Sequence, residues 1–404
     1  MTPRLKTILL EQTVSAPLDE VYRAFTNASA LREWFCDLAT VSPKPGGRLY
    51  LGWHSGDYLC GEYLSVTPLR ALSFTWRGRG DDRSTRVKVQ LTYKSGSVLV
   101  RLAHVIPINR KWQGRAANLE QEWRTALENL RSVLEEGIDL RLSNRPMLGI
   151  YMSDFNAEIA AHLGIPADKG LRLDGVVEGL GAHQAGLRKD DVIVSFSGKL
   201  MDGVYEGFQA VLQDKKAGDI VEVVYYRGPE LCRTSMTLSG RPKPFIPATL
   251  TELVQTTRER VAPALERLEH CLRYVNDEEA SRHPAPFEWS VMENLAHLIQ
   301  NERSAQFEIV DTVSGFERWA DNWGGNLNAQ VASTVKAYPT LPLLLEELRR
   351  AMEETFALVE SLPTEFMARK HAYRTLAVRM LESHVHINGH CEQIEQTITA
   401  IRGG

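Results

Sequence analysis

The stretch Glu382-Ser-His384-Val-His386-Ile-Asn-Gly-His390-Cys-Glu-Gln393 decides the fold and the chemistry of the last third of the chain. From residue 248 almost to the end of the chain the apolar pattern is helical, so residues four apart in this stretch lie on one helix face. His386 and His390 have this spacing, which helical metal sites use, whereas His384 is expected to point away. Such a pair alone is weak evidence, because eleven histidines produce it readily by chance.

A second helix is predicted to begin in Trp289-Ser290-Val-Met-Glu293-Asn-Leu-Ala-His297-Leu. Ser290 followed by Glu293 is a capping-box pattern, and capping is the expected use of Glu293. Glu293 also lies one turn before His297, so a supporting role beside a metal is its alternative use. Glu382 and Gln393, close to the histidine pair on the other helix, either support such a site or face solvent.

These two segments together resemble the DinB-like metalloprotein superfamily over about residues 246–402. The resemblance implies an all-α antiparallel four-helix bundle whose divalent metal is bound by His297, His386 and His390. Zinc or nickel is expected ahead of iron or manganese. Three imidazoles leave an open position for water or a substrate thiol. A purely structural role for the histidines remains the alternative.

An irregular stretch, residues 314–328, interrupts the predicted bundle. Loops of this length are usually functional or disordered. Trp319 and Trp323 stand beside paired glycines in this stretch. They predict a packed lid or pocket wall.

The apolar pattern of the first 105 residues has mostly the period of a β-strand. Polar and apolar residues alternate along 86–93, and residues 97–102 form a second strand after the turn at 94–96. A long amphipathic helix is predicted at 117–136, and Gly137 ends it. The region is therefore an α+β domain that closes with a helix.

Residues 1–140 resemble the START-like helix-grip superfamily, in the branch found in activators of a heat-shock chaperone ATPase. The resemblance rests on the element order, on Pro45-Gly-Gly47 before a strand and on Glu122-Trp123 in the last helix. It implies a curved sheet around that helix, with an apolar cavity for a small molecule. Five aromatic residues either line the cavity or form the core: Trp53, Tyr63, Phe74, Trp76 and Trp123. Because His54 and His104 stand alone, binding is expected here and catalysis is not.

Between these regions, residues 143–241 resemble a bacterial PDZ domain of the type attached to HtrA-like proteases. The matching stretches include 146–150, 175–179, 182–193 and 218–227. The resemblance implies a small, mostly β domain that binds a protein C-terminus. The backbone N–H groups of Leu148, Gly149 and Ile150 would bind the terminal carboxylate. The strand that begins there would pair with the peptide, and a helix near 203–213 would form the other side of the groove.

Asp190 stands where PDZ domains usually have glycine, so a positive φ is expected at an aspartate, which tolerates it. A domain retained only as a spacer or docking surface remains the alternative to peptide binding.

Bulk composition excludes several other classes of protein. A chain of 404 residues with 43% hydrophobic and 24% charged side chains indicates two or three globular domains. Residues 244–404 carry 15 basic and 23 acidic side chains, which argues against nucleic acid as a partner. There is no apolar run of membrane-span length, and the first ten residues lack a secretory signal. Five isolated cysteines favour a reducing compartment, so the expected location is the cytoplasm.

Two functions fit this three-domain arrangement. The first is an enzyme, a metal-dependent thiol S-transferase or hydrolase, because several relatives of the bundle are thiol-dependent S-transferases and would use a low-molecular-weight thiol. The second is a non-enzymatic ligand-sensing adaptor or scaffold with a structural metal site. The sequence leaves open the metal, the cavity ligand, the peptide and the oligomeric state, for which a dimer through the bundle is one arrangement.

Overall fold

A computed structural model describes most of the chain in two compact units, residues 1–138 with 245–404 and residues 139–244. The described ranges are 5–81, 83–108, 110–153, 155–201, 211–212, 215–241, 243–285, 288–315 and 327–403, without the side chains of 110, 111 and 113. Both Trp319 and Trp323 of the predicted lid lie outside them, as does most of the helix predicted near 203–213.

The N-terminal part of the first unit is a seven-stranded antiparallel sheet with three helices, which agrees with the predicted α+β domain. Its strands are β1 (Leu5–Val14), β2 (Leu38–Val41), β3 (Arg48–Gly52), β4 (Tyr58–Thr67), β5 (Ala71–Gly78), β6 (Thr85–Lys94) and β7 (Ser97–Pro107). Its helices are α1 (Leu18–Thr26), α2 (Ala28–Trp34) and α3 (Arg110–Glu136). The spatial order β1-β7-β6-β5-β4-β3-β2 places the first strand beside the last.

Strict alternation along β6 explains how this sheet meets its long helix. Val87, Val89 and Leu91 are buried while the residues between them are exposed. They belong to the same apolar cluster as Trp123 and Leu127 of α3. The period-two face of the strand and the helical stripe of α3 therefore form one core.

The completely buried His104 on β7 joins this sheet to α3 through a polar chain. The indole N–H of Trp123 donates to His104 Nδ1 at 3.1 Å, so the ring proton sits on Nε2, which lies 2.7 Å from Thr85 Oγ1. Thr85 in turn donates to the carbonyl of Trp76 at 3.1 Å. Burial lowers the pKa of His104 to about 3, so this histidine is neutral and serves to join the sheet to α3.

The histidine chain predicts a pH dependence of stability. Because the pKa of His104 is about 3 in the folded protein and about 6.5 when unfolded, protons favour the unfolded chain as pH falls from 6.5 towards 3. We expect His104→Gln to flatten that decline in unfolding free energy, measured by urea denaturation at several pH values. His54→Gln, an exposed position, is the control. Identical pH profiles for wild type and His104→Gln would contradict this assignment.

The second unit is a small sheet with short helices. Its strands are β8 (Ile150–Ser153), β9 (Leu171–Val176), β10 (Val192–Phe196), β11 (Lys199–Leu200), β12 (Ile220–Arg227) and β13 (Glu230–Thr237), and its helices are α4 (Leu140–Ser143), α5 (Ala157–Leu163) and α6 (Gly181–Gln184). The order β13-β12-β10-β9-β8 leaves β8 at an edge, and β11 pairs with β10. Asp190 has φ +67°, which confirms the conformation predicted for it, and Arg172 pairs with its carboxylate at 2.6 Å.

The remainder of the first unit is helical, as predicted. The helices are α7 (Leu250–Leu272), α8 (Asp277–Ala280), α9 (Val291–Ser314), α10 (Leu327–Ala337), α11 (Leu341–Glu360) and α12 (Lys370–Gly403), with a 3₁₀ turn at Thr364–Ala368. Four of these helices surround one core, because α7 packs on α12, α12 on α9, α9 on α11 and α11 on α7. None of the helices in the described ranges is long and apolar enough to cross a membrane.

The helical bundle and the N-terminal sheet domain belong to one unit because the start of α12 packs against the end of α3. His371 Nδ1 donates to the carbonyl of Gly137 at 3.0 Å, and Ser29 Oγ donates to the carbonyl of Gly315 at 3.3 Å. Gly137 has φ +73°, and a Cβ there would lie 2.5 Å from the carbonyl oxygen of Lys370. Glycine is therefore required both to end α3 and to admit α12.

Candidate metal centre

Helices α9 and α12 bring three histidines to one point in the bundle. His297 projects from α9, and His386 and His390 project from successive turns of α12. The Nε2 atoms of His297 and His386 are 3.3 Å apart, and those of His386 and His390 are 3.1 Å apart. The three residues form a group whose ligand atoms all lie within 4.8 Å of one another.

This geometry fits a metal ion better than it fits hydrogen bonding. Ligands at the usual metal–imidazole distance of about 2.0–2.1 Å are separated by about 2.9 Å in octahedral and about 3.3 Å in tetrahedral coordination. The observed nitrogen separations of 3.1 and 3.3 Å match that range. Three converging ring nitrogens cannot all satisfy one another by hydrogen bonds, because each carries either one proton or one lone pair.

Asn294 fixes the tautomer of His390. Its amide N–H donates to the carbonyl of Ser290 at 3.0 Å, so its carbonyl oxygen faces His390 Nδ1 at 2.9 Å. That oxygen can only accept, so Nδ1 of His390 carries the proton and its Nε2 lone pair points into the group. A second hydrogen bond of this type is how proteins usually orient a metal-binding imidazole.

All three imidazoles are held neutral. Burial lowers the pKa of His390 to about 3 and that of His297 to about 4, and their histidine neighbours reinforce both shifts. Burial also lowers the pKa of His386, with Arg379 contributing. The Nδ1 atom of His297 is buried without a hydrogen-bond partner among the described residues. At neutral pH the group therefore presents unprotonated nitrogens, which a divalent cation requires.

Glu293, Gln393 and Glu382, which were predicted to support the metal site, have different surroundings. Glu293 closes the capping box with Ser290, accepting from its backbone N–H at 2.8 Å, so its carboxylate serves the helix start. Gln393 is exposed, but a side-chain hydrogen bond with His390 raises the pKa of that histidine slightly against the larger effect of burial. Glu382 is also exposed and lies on the wall of a cavity beside His386. His384 bonds the carbonyl of Leu381 and is not in the group.

The sequence alone did not identify Asn294 as a functional residue, although it lies in the segment 289–298, one turn before His297. A buried asparagine on the same helix as a candidate ligand was the available signal. The cavity beside His386, which contains Glu302 and Arg379, was also missed. It depends on four helices meeting, which no local pattern in the sequence reveals.

The five aromatic residues predicted for the N-terminal cavity lie in or against the domain core. Trp76 and Trp123 are 5.0 Å apart between ring centroids, and Phe35 stacks on Trp123 at 5.2 Å. Phe35 also contacts Trp53, while Tyr63 packs edge-on against Phe74. This mutual packing agrees with the alternative given for them, in which they form the core.

The predicted carboxylate loop leads into the edge strand β8. Gly149 has φ +76°, and a Cβ there would lie 2.4 Å from that of Leu180, so only glycine fits. Leu148 is buried, and its carbonyl accepts from the backbone N–H of Ala182 at 2.9 Å. Ile150 begins β8 itself.

Two family models match separate parts of the chain. The model described as Activator of Hsp90 ATPase homolog 1-like protein matches residues 15–135, and that of the DinB superfamily matches residues 253–393. Both kinds of domain are present in this chain. The matches agree with the sheet-rich N-terminal domain and the helical bundle, and the DinB superfamily match covers all three histidines.

Similarity to individual proteins is more distant. Ninety-nine residues, 24% of the chain, are 29% identical to a probable periplasmic serine endoprotease DegP-like of Marinomonas sp. (strain MWYL1), and they span only 21% of its length. Among solved structures, CalU16 from Micromonospora echinospora is 24% identical, with a TM-score of 0.29, over 32% of this chain and 75% of that one. The Aha1 dimer from Colwellia psychrerythraea is 17% identical, with a TM-score of 0.30, over 32% and 96%.

The Asn294 contact predicts a measurable loss of metal affinity. Asn294→Ala removes the acceptor that fixes the His390 ring, and such losses weaken metal binding by roughly 10- to 100-fold. Competition with a chromogenic chelator measures the dissociation constant. Asn388→Ala, on the same helix as His390 but outside the histidine group, is the matched control. Equal affinities for wild type and Asn294→Ala would show that the contact does not orient the ring.

Proposed function

We propose that this protein is a metal-dependent transferase that activates a low-molecular-weight thiol in its helical bundle, with His297, His386 and His390 as the metal ligands. The observation that carries the proposal is the convergence of three neutral Nε2 atoms within 4.8 Å. The DinB superfamily match over residues 253–393 supports it. Zinc or nickel suits three imidazoles best, and iron or manganese would also accept them.

Three histidine ligands would leave a coordination position on the metal open for a substrate. A divalent ion held by three protein ligands keeps at least one position open, and it lowers the pKa of a thiol or water bound there so that a nucleophile exists near neutral pH. The residues of the chain hold that geometry: Asn294 orients His390, and burial keeps the three imidazoles neutral. If water took the open position instead of a thiol, the same arrangement would make the protein a hydrolase.

Elemental analysis of untagged protein tests the metal. We expect near-stoichiometric metal in the wild type and none in the His386→Ala/His390→Ala variant. His384→Ala is the matched control, because His384 lies on the same helix and outside the group. Wild-type protein that contains no metal and cannot be loaded with zinc, nickel, iron or manganese would overturn the proposal.

Turnover is a separate prediction. Metal-loaded protein should accelerate attack of a small thiol on a fluorogenic electrophile, and a chelator should abolish that acceleration while re-addition of metal restores it. The double histidine variant should show only the uncatalysed rate. Metal that binds without supporting turnover or thiol binding would leave an adaptor with a structural metal as the better description.

For residues 143–241 we propose a PDZ-type domain that binds the C-terminus of another protein. The edge position of β8, the obligatory Gly149 before it and the match to a DegP-like protein support this. Main-chain pairing with an edge strand gives affinity, and a loop of backbone N–H groups would bind the carboxylate.

For the N-terminal domain we propose that it binds an apolar small molecule, which would have to separate the clustered aromatic side chains. The five free cysteines support a reducing compartment such as the cytoplasm.

Peptide binding has a simple test on the full-length protein. Peptides selected from a library of free C-termini should lose binding when their terminal carboxylate is amidated, because the carboxylate provides the charge-assisted contacts. Fluorescence anisotropy measures the affinity. Selected peptides that bind equally well after amidation would exclude a carboxylate-binding loop.

A further inference from the structure

A partly open cavity in the bundle borders the histidine group. Its volume is about 240 Å³, and His386 is part of its wall. One side is apolar, with residues from three of the four long helices: Ala305, Ile309, Met352, Phe356, Leu376 and Met380. The cavity is below the roughly 300–1,000 Å³ of drug-sized ligand pockets, so it suits a small metabolite.

The polar side of the cavity has more carboxyl groups than cationic groups. Glu302 and Glu382 lie on its wall with a single guanidinium, that of Arg379. Arg379 is already engaged, because it forms an ion pair with Glu308, which is not part of the wall. The positive charge nearest to the cavity is therefore shared with a carboxylate outside it.

Glu302 is poorly compensated for a carboxyl group that faces a cavity in the bundle. Its hydrogen bond in the described structure comes from Thr355 Oγ1 at 3.0 Å. That hydroxyl has one proton and lies equally close, 3.0 Å, to the carbonyl of Ala351. Burial raises the pKa of Glu302 despite the opposing effects of Thr355 and Arg379. A carboxylate in this position would gain from a cationic donor brought in by a ligand.

We propose that this cavity binds the ammonium group of a small amine through Glu302, so that the thiol used by the protein is an aminothiol. The part concerning the thiol rests on the function proposed above, whereas the amine site stands on the cavity alone. The thiol end would face His386, and the ammonium end would lie between Glu302 and the rim carboxylate Glu382. The apolar wall would contact the carbon chain.

Three thiols of similar length test the charge preference. Cysteamine, 2-mercaptoethanol and 3-mercaptopropionate end in a cation, a neutral hydroxyl and an anion. Titration calorimetry with zinc-loaded protein should give a dissociation constant for cysteamine that is at least about tenfold lower than those of the other two thiols. The reason is that hydrogen bonds to charged groups are stronger than hydrogen bonds between neutral groups. Glu302→Gln should remove this preference, and Glu346→Gln, which removes an exposed carboxylate of α11, should keep it.

The outcomes separate the two proposals. Equal binding of all three thiols, or tightest binding of 3-mercaptopropionate, would overturn the amine site and leave thiol activation intact. Zinc-loaded protein that binds none of the thiols would overturn the thiol function.

Butylamine, added to metal-free protein, tests the amine site separately from thiol and metal binding. Saturating butylamine should raise the melting temperature of wild type and Glu346→Gln more than butanol does, and this difference should be absent in Glu302→Gln. No difference between butylamine and butanol in wild type would overturn the amine site.

Discussion

The helical bundle depends on one constraint, which is that three unprotonated imidazole nitrogens converge where α9 and α12 meet. Such nitrogens are lone-pair acceptors, and the partly or fully buried rings cannot all find donors in one another. Each ring could relieve this by taking a proton, but burial lowers the pKa of all three, with neighbouring histidines adding to the effect at His297 and His390 and Arg379 at His386. A bound cation would resolve the conflict because it would satisfy three lone pairs at once. Residues near the group serve this arrangement: Asn294 directs one ring, and the Ser290 carbonyl directs Asn294.

The helix start and the candidate metal centre share one structural device. Ser290 caps α9 through its side chain and backbone N–H, in exchange with Glu293, and uses its carbonyl to hold Asn294. The same turn that begins the helix therefore fixes the orientation of His390 on another helix. This explains why Glu293 does not reach the candidate metal centre although its spacing from His297 allows it. Its carboxylate stabilises the frame on which Asn294 is placed.

Residues whose role follows from local spacing were predictable, and residues whose role follows from packing were not. The pair His386 and His390 follows from the helical repeat, and the positive φ of Asp190 follows from turn chemistry. The roles of Asn294 and Glu302 depend on contacts with a second helix, so the sequence around them shows only polar residues in a helix. The aromatic residues of the N-terminal domain show the same limit, since Trp123 lies at helical spacing from Leu119 and Leu127 in the sequence but its contact with His104 requires the completed sheet.

Charged groups also lie where the N-terminal domain meets the bundle. Burial raises the pKa of Glu33 of α2, and the nearby His371, Arg23 and Arg369 oppose that effect. When the two domains separate completely, water replaces these partners, so the charges add little to the strength of the contact. A sliding displacement is different, because it would leave Glu33 largely covered but with only Arg23 of its own domain beside it. The same displacement would break the His371–Gly137 hydrogen bond. These contacts therefore favour one register, and α12 extends from it about 22 Å along its axis to His386.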